Sequence, residues 1–255
     1  MRVWAYEEKD TWIHRLSGVT KLFFLLAWIL TGMLSFDTRV LLAMLAGSVL
    51  IFRVSGTDWE QAGDGVKFFF SALLLFLLAI FLADPYKGAE IYGTRSDLFH
   101  IAGKYWLTKE QIFYECNIMA KGLSVILTAS VFTSATDPGE LAASVNRIGI
   151  PYKIGCRMAA ALRYLPERQT ALRERKNVRG KSLISLPASG NGRMREKRRV
   201  MEVRGYGRHR KRTWYGGKKL TGADCAVMAV TAAVSALFLW ITFQDGNRFY
   251  NPFVK

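Results

Sequence analysis

Five long apolar runs of the chain contain no charged residue, and they constrain the fold more than any other feature of the sequence. They are residues 22–36, 40–52, 68–83, 122–136 and 225–244. A run such as FFFSALLLFLLAIFLA, at residues 68–83, has no polar face that the surface of a soluble protein could use. The alternative of a soluble helical protein with fully buried core helices fits such a run poorly. The sequence therefore predicts an all-α integral membrane protein.

The lengths of these runs predict about five transmembrane helices. Only the last run has the roughly 20 residues that a helix needs to cross a bilayer. The others can be extended by flanking cations whose aliphatic stems reach the interface; these are Lys21, Arg39, Arg53, Lys67 and Lys121. The fourth run also extends backward, so its helix is expected to begin near Gln111. The first two runs share the short hinge Asp37–Arg39, which leaves open a tight or re-entrant pair.

The net charge of +16 is concentrated in one segment of the chain. Residues 152–220 hold 21 Lys or Arg and 4 Asp or Glu, whereas the rest of the chain holds 15 basic and 16 acidic residues. Basic loops of membrane proteins stay on the cytoplasmic side. We therefore predict four spans in residues 1–151, a cytoplasmic basic region in 152–220, and a last span with its tail in 221–255. The N-terminus is then cytoplasmic, and the loop of residues 84–110 is exterior.

The tripeptide Val-Arg-Gly occurs twice in the basic region, at residues 178–180 and 203–205. Each copy closes a charged, helix-like stretch, and the two glycines are expected to be left-handed helix caps. An arginine just before such a cap sits at the negative end of the helix dipole and projects beyond the helix. There it can hold a partner's carboxylate in a bidentate pair. Two such ends predict two similar sockets on homologous partner subunits, although two chance copies of a common helix terminus are an alternative.

Four segments carry a resemblance to a known family. They are HRLSGVTKLFFLL at residues 14–26, TSATDPGELAASVNRIGIP at 133–151, ALRYLPERQTALRERKNVRG at 161–180 and RRVMEVRGYG at 198–207. In order and spacing they resemble the transmembrane T component of energy-coupling-factor (ECF) transporters, the CbiQ/EcfT family. The resemblance covers nearly the whole chain. The family's coupling helices usually close with Ala-Arg-Gly, whereas this chain has Val178 and Val203 in place of the alanines.

The resemblance implies a subunit that links two cytoplasmic ABC-type ATPases to a membrane-embedded substrate-binding S component. It implies import of a vitamin or metal ion across a bacterial or archaeal plasma membrane, with ATP and Mg bound by the partner ATPases and no cofactor on this chain. It also implies which residues contact the ATPases: Val178, Arg179, Gly180, Val203, Arg204 and Gly205.

The sequence offers no catalytic or metal-binding constellation, so we predict a non-catalytic permease subunit. The segment YGGKKLTG at residues 215–222 has too few residues between its glycines for a Walker A motif. The cysteines are far apart and two of the histidines lack companions at metal-ligand spacing; these residues are Cys116, Cys156, Cys225, His100 and His209. We interpret His14 as an interfacial anchor of the first span rather than a ligand.

Two other functions remain open. In the first, the chain is a membrane-anchored module whose basic region binds anionic lipid or nucleic acid, with an affinity set by total charge. The coupling hypothesis instead predicts two special arginines among many dispensable cations, and no nucleic-acid partner. In the second, the chain is an intramembrane enzyme, which would need polar side chains that converge within the spans. Glu115 and Asn117 are the candidates for that role.

Overall fold

The computed structural model of the chain describes residues 6, 9–57, 59–102, 105–163, 199–203, 205–206, 218 and 220–244. Each of the five apolar runs lies largely within a helix, which confirms the predicted all-α class. The elements in chain order are α1 (Trp12–Arg15), α2 (Gly18–Leu34), α3 (Thr38–Val54), α4 (Trp59–Ala83), α5 (Lys87–Tyr92), β1 (Asp97–Ala102), β2 (Tyr105–Thr108), α6 (Lys109–Ala135), α7 (Pro138–Arg147), α8 (152–163), α9 (199–203) and α10 (Gly222–Gln244).

Three helices in the described part of the chain are long and apolar enough to cross a membrane. They are Val66–Ala83 within α4, Lys109–Ala135 and Gly222–Gln244. Helices α2 and α3 have 17 residues each. At 1.5 Å per residue each is about 25 Å long, which is shorter than a hydrocarbon core of about 30 Å. The first two predicted spans therefore form a pair of shorter helices.

The link between α2 and α3 is fixed by one carboxylate. Asp37 is the N-cap of α3, and its Oδ1 accepts a hydrogen bond of 2.9 Å from the backbone N–H of Arg39. The hydroxyls of Ser35 and Thr242 lie 2.9 Å apart, which ties this link to the end of α10. The predicted hinge thus lies slightly earlier in the chain, at residues 35–37, because the cap draws Arg39 into the first turn of α3.

The segment that we expected to be a plain exterior loop holds α5 and an antiparallel hairpin of β1 and β2. Helix α5 ends at Gly93, whose φ of 67° is left-handed. A Cβ added to Gly88 would lie 2.5 Å from the carbonyl oxygen of Glu110, so α5 packs directly on the start of α6. Burial raises the pKa of the Tyr92 phenol, against the opposing effect of a hydrogen bond from Asn117. The phenol therefore stays neutral in this contact.

Helix α6 is central to the packing of the helices described so far, since it contacts α2, α3, α4 and α5. It begins at Lys109, close to the predicted start near Gln111, because the side chain of Thr108 caps it and accepts a hydrogen bond from the Gln111 N–H. Its apolar side closes one core cluster with α1 and α3: Ile13, Phe52, Leu127, Val131 and Ala135. A second cluster joins α2 to α3: Trp28, Val40 and Met44.

A chain of polar contacts crosses three helices inside this core. The indole N–H of Trp28 in α2 donates to the Ser48 hydroxyl of α3 at 2.9 Å, and that hydroxyl lies 3.2 Å from the Thr128 hydroxyl of α6. The outer face of α4 is different, since Phe68 and Leu75 are 66% and 67% exposed. Large apolar side chains exposed along a long helix are typical of a lipid-facing surface.

The described residues divide into two compact units. The first runs to residue 136 and resumes at residue 220, and it contains α1–α6, the hairpin and α10. The second begins at residue 137 and ends before residue 220, and it contains α7, α8 and α9. The second unit includes the described part of the basic region up to residue 218, and with it two of the predicted coupling residues, Val203 and Gly205.

Candidate coupling site

The structure describes two of the six predicted coupling residues, Val203 and Gly205. The other four, Val178, Arg179, Gly180 and Arg204, lie outside the described residues. The second Val-Arg-Gly copy can therefore be examined through the residues that flank its arginine.

Gly205 ends helix α9 in the conformation expected of a glycine cap. Its φ is 78°, in the left-handed region. The N–H of Gly205 donates to the Glu202 carbonyl at 3.0 Å, and the N–H of Tyr206 donates to the Met201 carbonyl at 2.9 Å. These two bonds together form a Schellman motif, which satisfies carbonyls that the helix end would leave unpaired. The predicted glycine cap is confirmed at this copy.

Tyr206, the residue after the cap, fixes this helix end to α8. Its ring packs edge-on against the ring of Tyr152, with centroids 5.8 Å apart and an interplanar angle of 80°. Tyr152 is buried, at 3% exposure. Edge-to-face aromatic pairs of this kind stabilise a contact by about 0.5–1.5 kcal/mol beyond the area they bury. The cap is therefore held by a tertiary contact as well as by its own backbone bonds.

Helix α9 presents apolar side chains to its surroundings. Val200 and Met201 are 46% and 42% exposed, and Val203 is 88% exposed. An exposed apolar cluster in a basic region is typical of a surface that a protein partner covers. The branched side chain of Val203 can contribute apolar area to such a contact.

Helices α7 and α8 pack against each other in the second unit. The Asp137 carboxylate caps α7 by accepting a hydrogen bond of 2.9 Å from the Glu140 N–H, and a proline occupies the first turn. A Cβ added to Gly155 in α8 would lie 2.9 Å from the carbonyl oxygen of Ala142 in α7. The two backbones therefore approach each other closely, and only glycine fits at this position without a shift.

The end of the basic region returns to α7. The Lys218 ammonium lies 3.2 Å from the Glu140 carboxylate, and the Arg147 guanidinium donates to the Lys218 carbonyl at 2.6 Å. Glu140 is 8% exposed. The entry and the exit of the second unit are thus joined to each other through one helix.

In the described part of the chain, three polar side chains of α6 each contact a different neighbour. The Glu115 carboxylate accepts from the Gln111 amide one turn earlier at 2.9 Å. The Asn117 amide donates to the Tyr92 hydroxyl at 3.3 Å, and the Lys121 ammonium lies 3.5 Å above the centre of the Phe36 ring. Within the described ranges, no group of three or more His, Cys, Asp or Glu could hold a metal ion.

An apolar cavity of about 340 Å³ lies within the first unit, between α1, α2, α3, α6 and α10. Its walls are mostly aliphatic and aromatic carbon, with Trp12, Phe24, Val131 and Val230 among the lining residues. Because few polar groups face it, it offers little for the recognition of a hydrophilic substrate. His14 lies in α1 at this end of the unit, with its Nδ1 2.6 Å from the Thr11 hydroxyl.

The sequence reasoning missed one buried polar cluster in the first unit, centred on Asp224. This carboxylate is 1% exposed and lies at the start of α10. A signal was present in the sequence, since Thr221 and Asp224 have the Thr-x-x-Asp spacing of a capping box ahead of an apolar run. The residues that Asp224 binds at the start of α2, Ser17 and Thr20, are 207 and 204 residues away along the chain. Local spacing in the sequence cannot reveal such a contact.

Comparison with known proteins places the chain among membrane transport components. Residues 9–167 match the CbiQ family of cobalt transport proteins. The chain is 24% identical over 165 residues to the energy-coupling factor transporter transmembrane protein EcfT of Leuconostoc gelidum subsp. gasicomitatum. That alignment covers 62% of this chain and 58% of the relative, so the chain spans less than two thirds of the relative's length. The family match ends at residue 167, before both Val-Arg-Gly copies.

Proposed function

Because this chain belongs to the CbiQ family of cobalt transport proteins, we propose that it is the T component of an ECF-type importer. In this proposal it joins two cytoplasmic ABC-type ATPases to a membrane-embedded S component that binds a vitamin or metal ion. The ATPases bind ATP and Mg, and this chain performs no chemistry of its own. The second unit is cytoplasmic and contacts the ATPases.

The observation that carries the proposal is the end of α9. A Schellman-capped helix presents the exposed side chain of Val203 beside the position of Arg204, in a region with a large excess of positive charge. A capped helix end fixes the direction in which the next residues leave the helix. An apolar contact at the tip and a guanidinium beside it are suited to a socket with an apolar floor and an acidic rim.

The proposed mechanism is mechanical coupling. When the two ATPases close on ATP, the sockets that hold the two helix ends move relative to each other. The helix ends follow because they bind one arrangement of the sockets better than the other, and only such a difference in affinity can shift a conformational equilibrium. The S component then senses the movement through the membrane helices of this chain.

The proposal is tested with the double variant Arg179→Ala/Arg204→Ala. Truncating one member of a buried charge pair costs about 2–5 kcal/mol, so even one lost pair weakens ATPase binding by at least about 30-fold. We expect loss of ATPase binding and of substrate uptake. The matched control is Lys176→Ala/Arg208→Ala, which removes the same charge from the same region and keeps both tripeptides.

The control variant also distinguishes the proposed coupling function from the alternative, in which the basic region binds anionic lipid or nucleic acid. If the basic region binds anionic lipid or nucleic acid through total charge, both double variants lose binding equally, and salt weakens binding steeply. Coupling requires that the control retain uptake while the tripeptide variant loses it. Normal uptake in Arg179→Ala/Arg204→Ala contradicts the proposed mechanism.

A further inference from the structure

A buried polar cluster in the first unit joins the start of α2 to the ends of two other helices. We call it the anchor node, and it consists of Ser17, Thr20, Lys21, Ala135 and Asp224. Ser17 is the N-cap of α2, and Thr20 and Lys21 lie in its first turn. Ala135 is the last residue of α6, and Asp224 lies in the first turn of α10. All five residues are at most 7% exposed.

Asp224 holds the N-termini of two helices at once. Its Oδ1 accepts from the backbone N–H of Ser17 at 2.8 Å and from the Thr20 hydroxyl at 2.9 Å. Its Oδ2 accepts from the N–H and the hydroxyl of Thr221 at 2.9 Å and 2.7 Å. The positive ends of the α2 and α10 dipoles both favour an anion at this position. One carboxylate therefore fixes the start of the last span to the start of the first.

Lys21 binds the C-terminal end of a third helix, α6. Its ammonium donates to the Ala135 carbonyl at 2.7 Å and to the His14 carbonyl at 3.4 Å. Carbonyls at a helix C-terminus have no partner within the helix, and the dipole there is negative, so a cation is favourable. Lys21 thus caps α6 from the same helical turn that Asp224 binds.

Two residues of the anchor node, Ala135 and Asp224, lie next to the points where the chain connects the first unit to the second. The chain leaves the first unit after residue 136 and returns to it at residue 220. Ala135 lies just before the departure, and Asp224 lies just after the return. Both covalent connections to the second unit are therefore fixed to a single turn of α2, residues 17–21.

We propose that the anchor node transmits the movement of the second unit to the membrane helices, with Thr20, Lys21 and Asp224 as positioning residues. This inference rests on the proposed coupling function. A unit attached through two loose connections could move while the connections bend, and its movement would not reach the membrane. With both connections held by α2, any displacement of the second unit acts on the first span and, through Ala135, on α6. The node also gives a role to the Thr-Lys pair that opens the first span, which is not among the six residues proposed to contact the ATPases.

The first test measures coupling in the purified complex of this chain with its ATPases and S component, reconstituted in vesicles. Thr20→Val keeps the size of the side chain and removes the hydroxyl donor to Asp224, and Thr20→Ser is the matched control that keeps the donor. We expect the number of ATP molecules hydrolysed per substrate imported to rise at least about fivefold in Thr20→Val, the lower end of typical coupling effects. We expect Thr20→Ser to match the wild type, and the ATPases to stay bound in both variants.

The second test replaces the polar link with a covalent one. Thr20→Cys/Asp224→Cys is made in a background in which Cys116, Cys156 and Cys225, all free thiols, are changed to alanine. The hydrogen bond of 2.9 Å shows that the two side chains are in contact, and loss of free thiols is used to verify the disulfide before import is measured. We expect the reduced pair to hydrolyse ATP with little import, and oxidation by copper phenanthroline to restore import because the position of α10 is fixed again.

The outcomes distinguish this inference from the proposed function. If the wild-type chain does not co-purify with ATPases, both fail. If the wild type is coupled and either Thr20→Val or the reduced cysteine pair imports as efficiently as its control, the inference alone is overturned. Loss of ATPase binding in Thr20→Val, or quantitative disulfide formation without recovery of import, also overturns it, because the cluster would then serve stability rather than transmission.

Discussion

At the scale of the residue, the backbone angle of Gly205 determines how the predicted coupling end is built. Its φ of 78° lies in the left-handed region, where an L-residue with a Cβ is strained by about 1–2 kcal/mol. The two Schellman bonds depend on this angle. The direction in which the chain leaves α9 therefore depends on the backbone of Gly205, which has no side chain that could contact a partner.

We predict that Gly205→Ala lowers the affinity of the chain for its ATPases by about 5- to 30-fold, the equivalent of that strain. The measurement is the dissociation constant of the purified chain with the ATPase pair. Gly222→Ala is the control, because a Cβ at Gly222 meets no atom within 4 Å and its backbone is not left-handed. Equal affinities in the two variants would show that the cap does not position the contact.

The glycine cap could be predicted from the sequence, whereas the anchor node could not. A left-handed cap has a local signature, a glycine that closes a charged helical stretch, and Gly205 showed it. The partners of Asp224 come from the opposite end of the chain, so the pairing depends on the tertiary fold. Lys21 was identified as a flanking cation that reaches the interface, and the structure instead buries its ammonium against the end of α6.

At the scale of the element, close backbone contacts and interhelical hydrogen bonds hold the helices in register. Gly155 brings α8 against the backbone of α7, whereas Gly122 of α6 faces the flexible side chain of Leu73 in α4. A backbone cannot move aside for a methyl group, but the end of a leucine can. The same substitution should therefore have different costs at the two sites.

We predict that Gly155→Ala destabilises the protein by about 1–3 kcal/mol, the usual cost of overpacking. Gly122→Ala, the control, should cost less because Leu73 can change rotamer. Thermal unfolding in detergent, followed by tryptophan fluorescence and limited proteolysis of the second unit, measures both. A larger effect at Gly122 than at Gly155 would contradict the packing described here.

A second prediction at this scale concerns the polar chain across α2, α3 and α6. Ser48→Ala removes the hydroxyl that Trp28 and Thr128 share, and should destabilise the first unit by about 0.6–1.7 kcal/mol. Ser71→Ala is the matched control, because among the described residues the Ser71 hydroxyl donates to the Phe68 carbonyl of its own helix. Equal unfolding temperatures for the two variants would show that the polar chain contributes nothing to stability.

The long helices could be predicted from the sequence, and the short elements could not. Runs of apolar residues without charge located α2, α3, α4, α6 and α10 because their burial in lipid requires an unbroken apolar sequence. Helix α5 has 6 residues and β2 has 4, too few for a periodic pattern to be distinguished. These elements depend on the start of α6 for their packing, as the contact of Gly88 with Glu110 shows.

At the scale of the whole molecule, the distribution of charge predicts the orientation in the membrane. The basic region should face the cytoplasm, and the hairpin of β1 and β2 should lie outside. We predict that Arg95→Cys, in the cysteine-free background, reacts with a membrane-impermeant maleimide in intact cells. Arg212→Cys should react only after permeabilisation. The opposite pattern of labelling would mean that the second unit is not cytoplasmic, and the coupling function would fail with it.

The central claim, that the tip of α9 docks into an ATPase, is tested most directly by photo-crosslinking in native membranes. A photoreactive amino acid is placed at Val203, which is 88% exposed, and as a control at Trp240, which is 64% exposed on α10. The account predicts that position 203 crosslinks to an ATP-binding subunit, identified by mass spectrometry, and that position 240 does not. If position 203 crosslinks only to lipid, or both positions give the same products, the claim is contradicted.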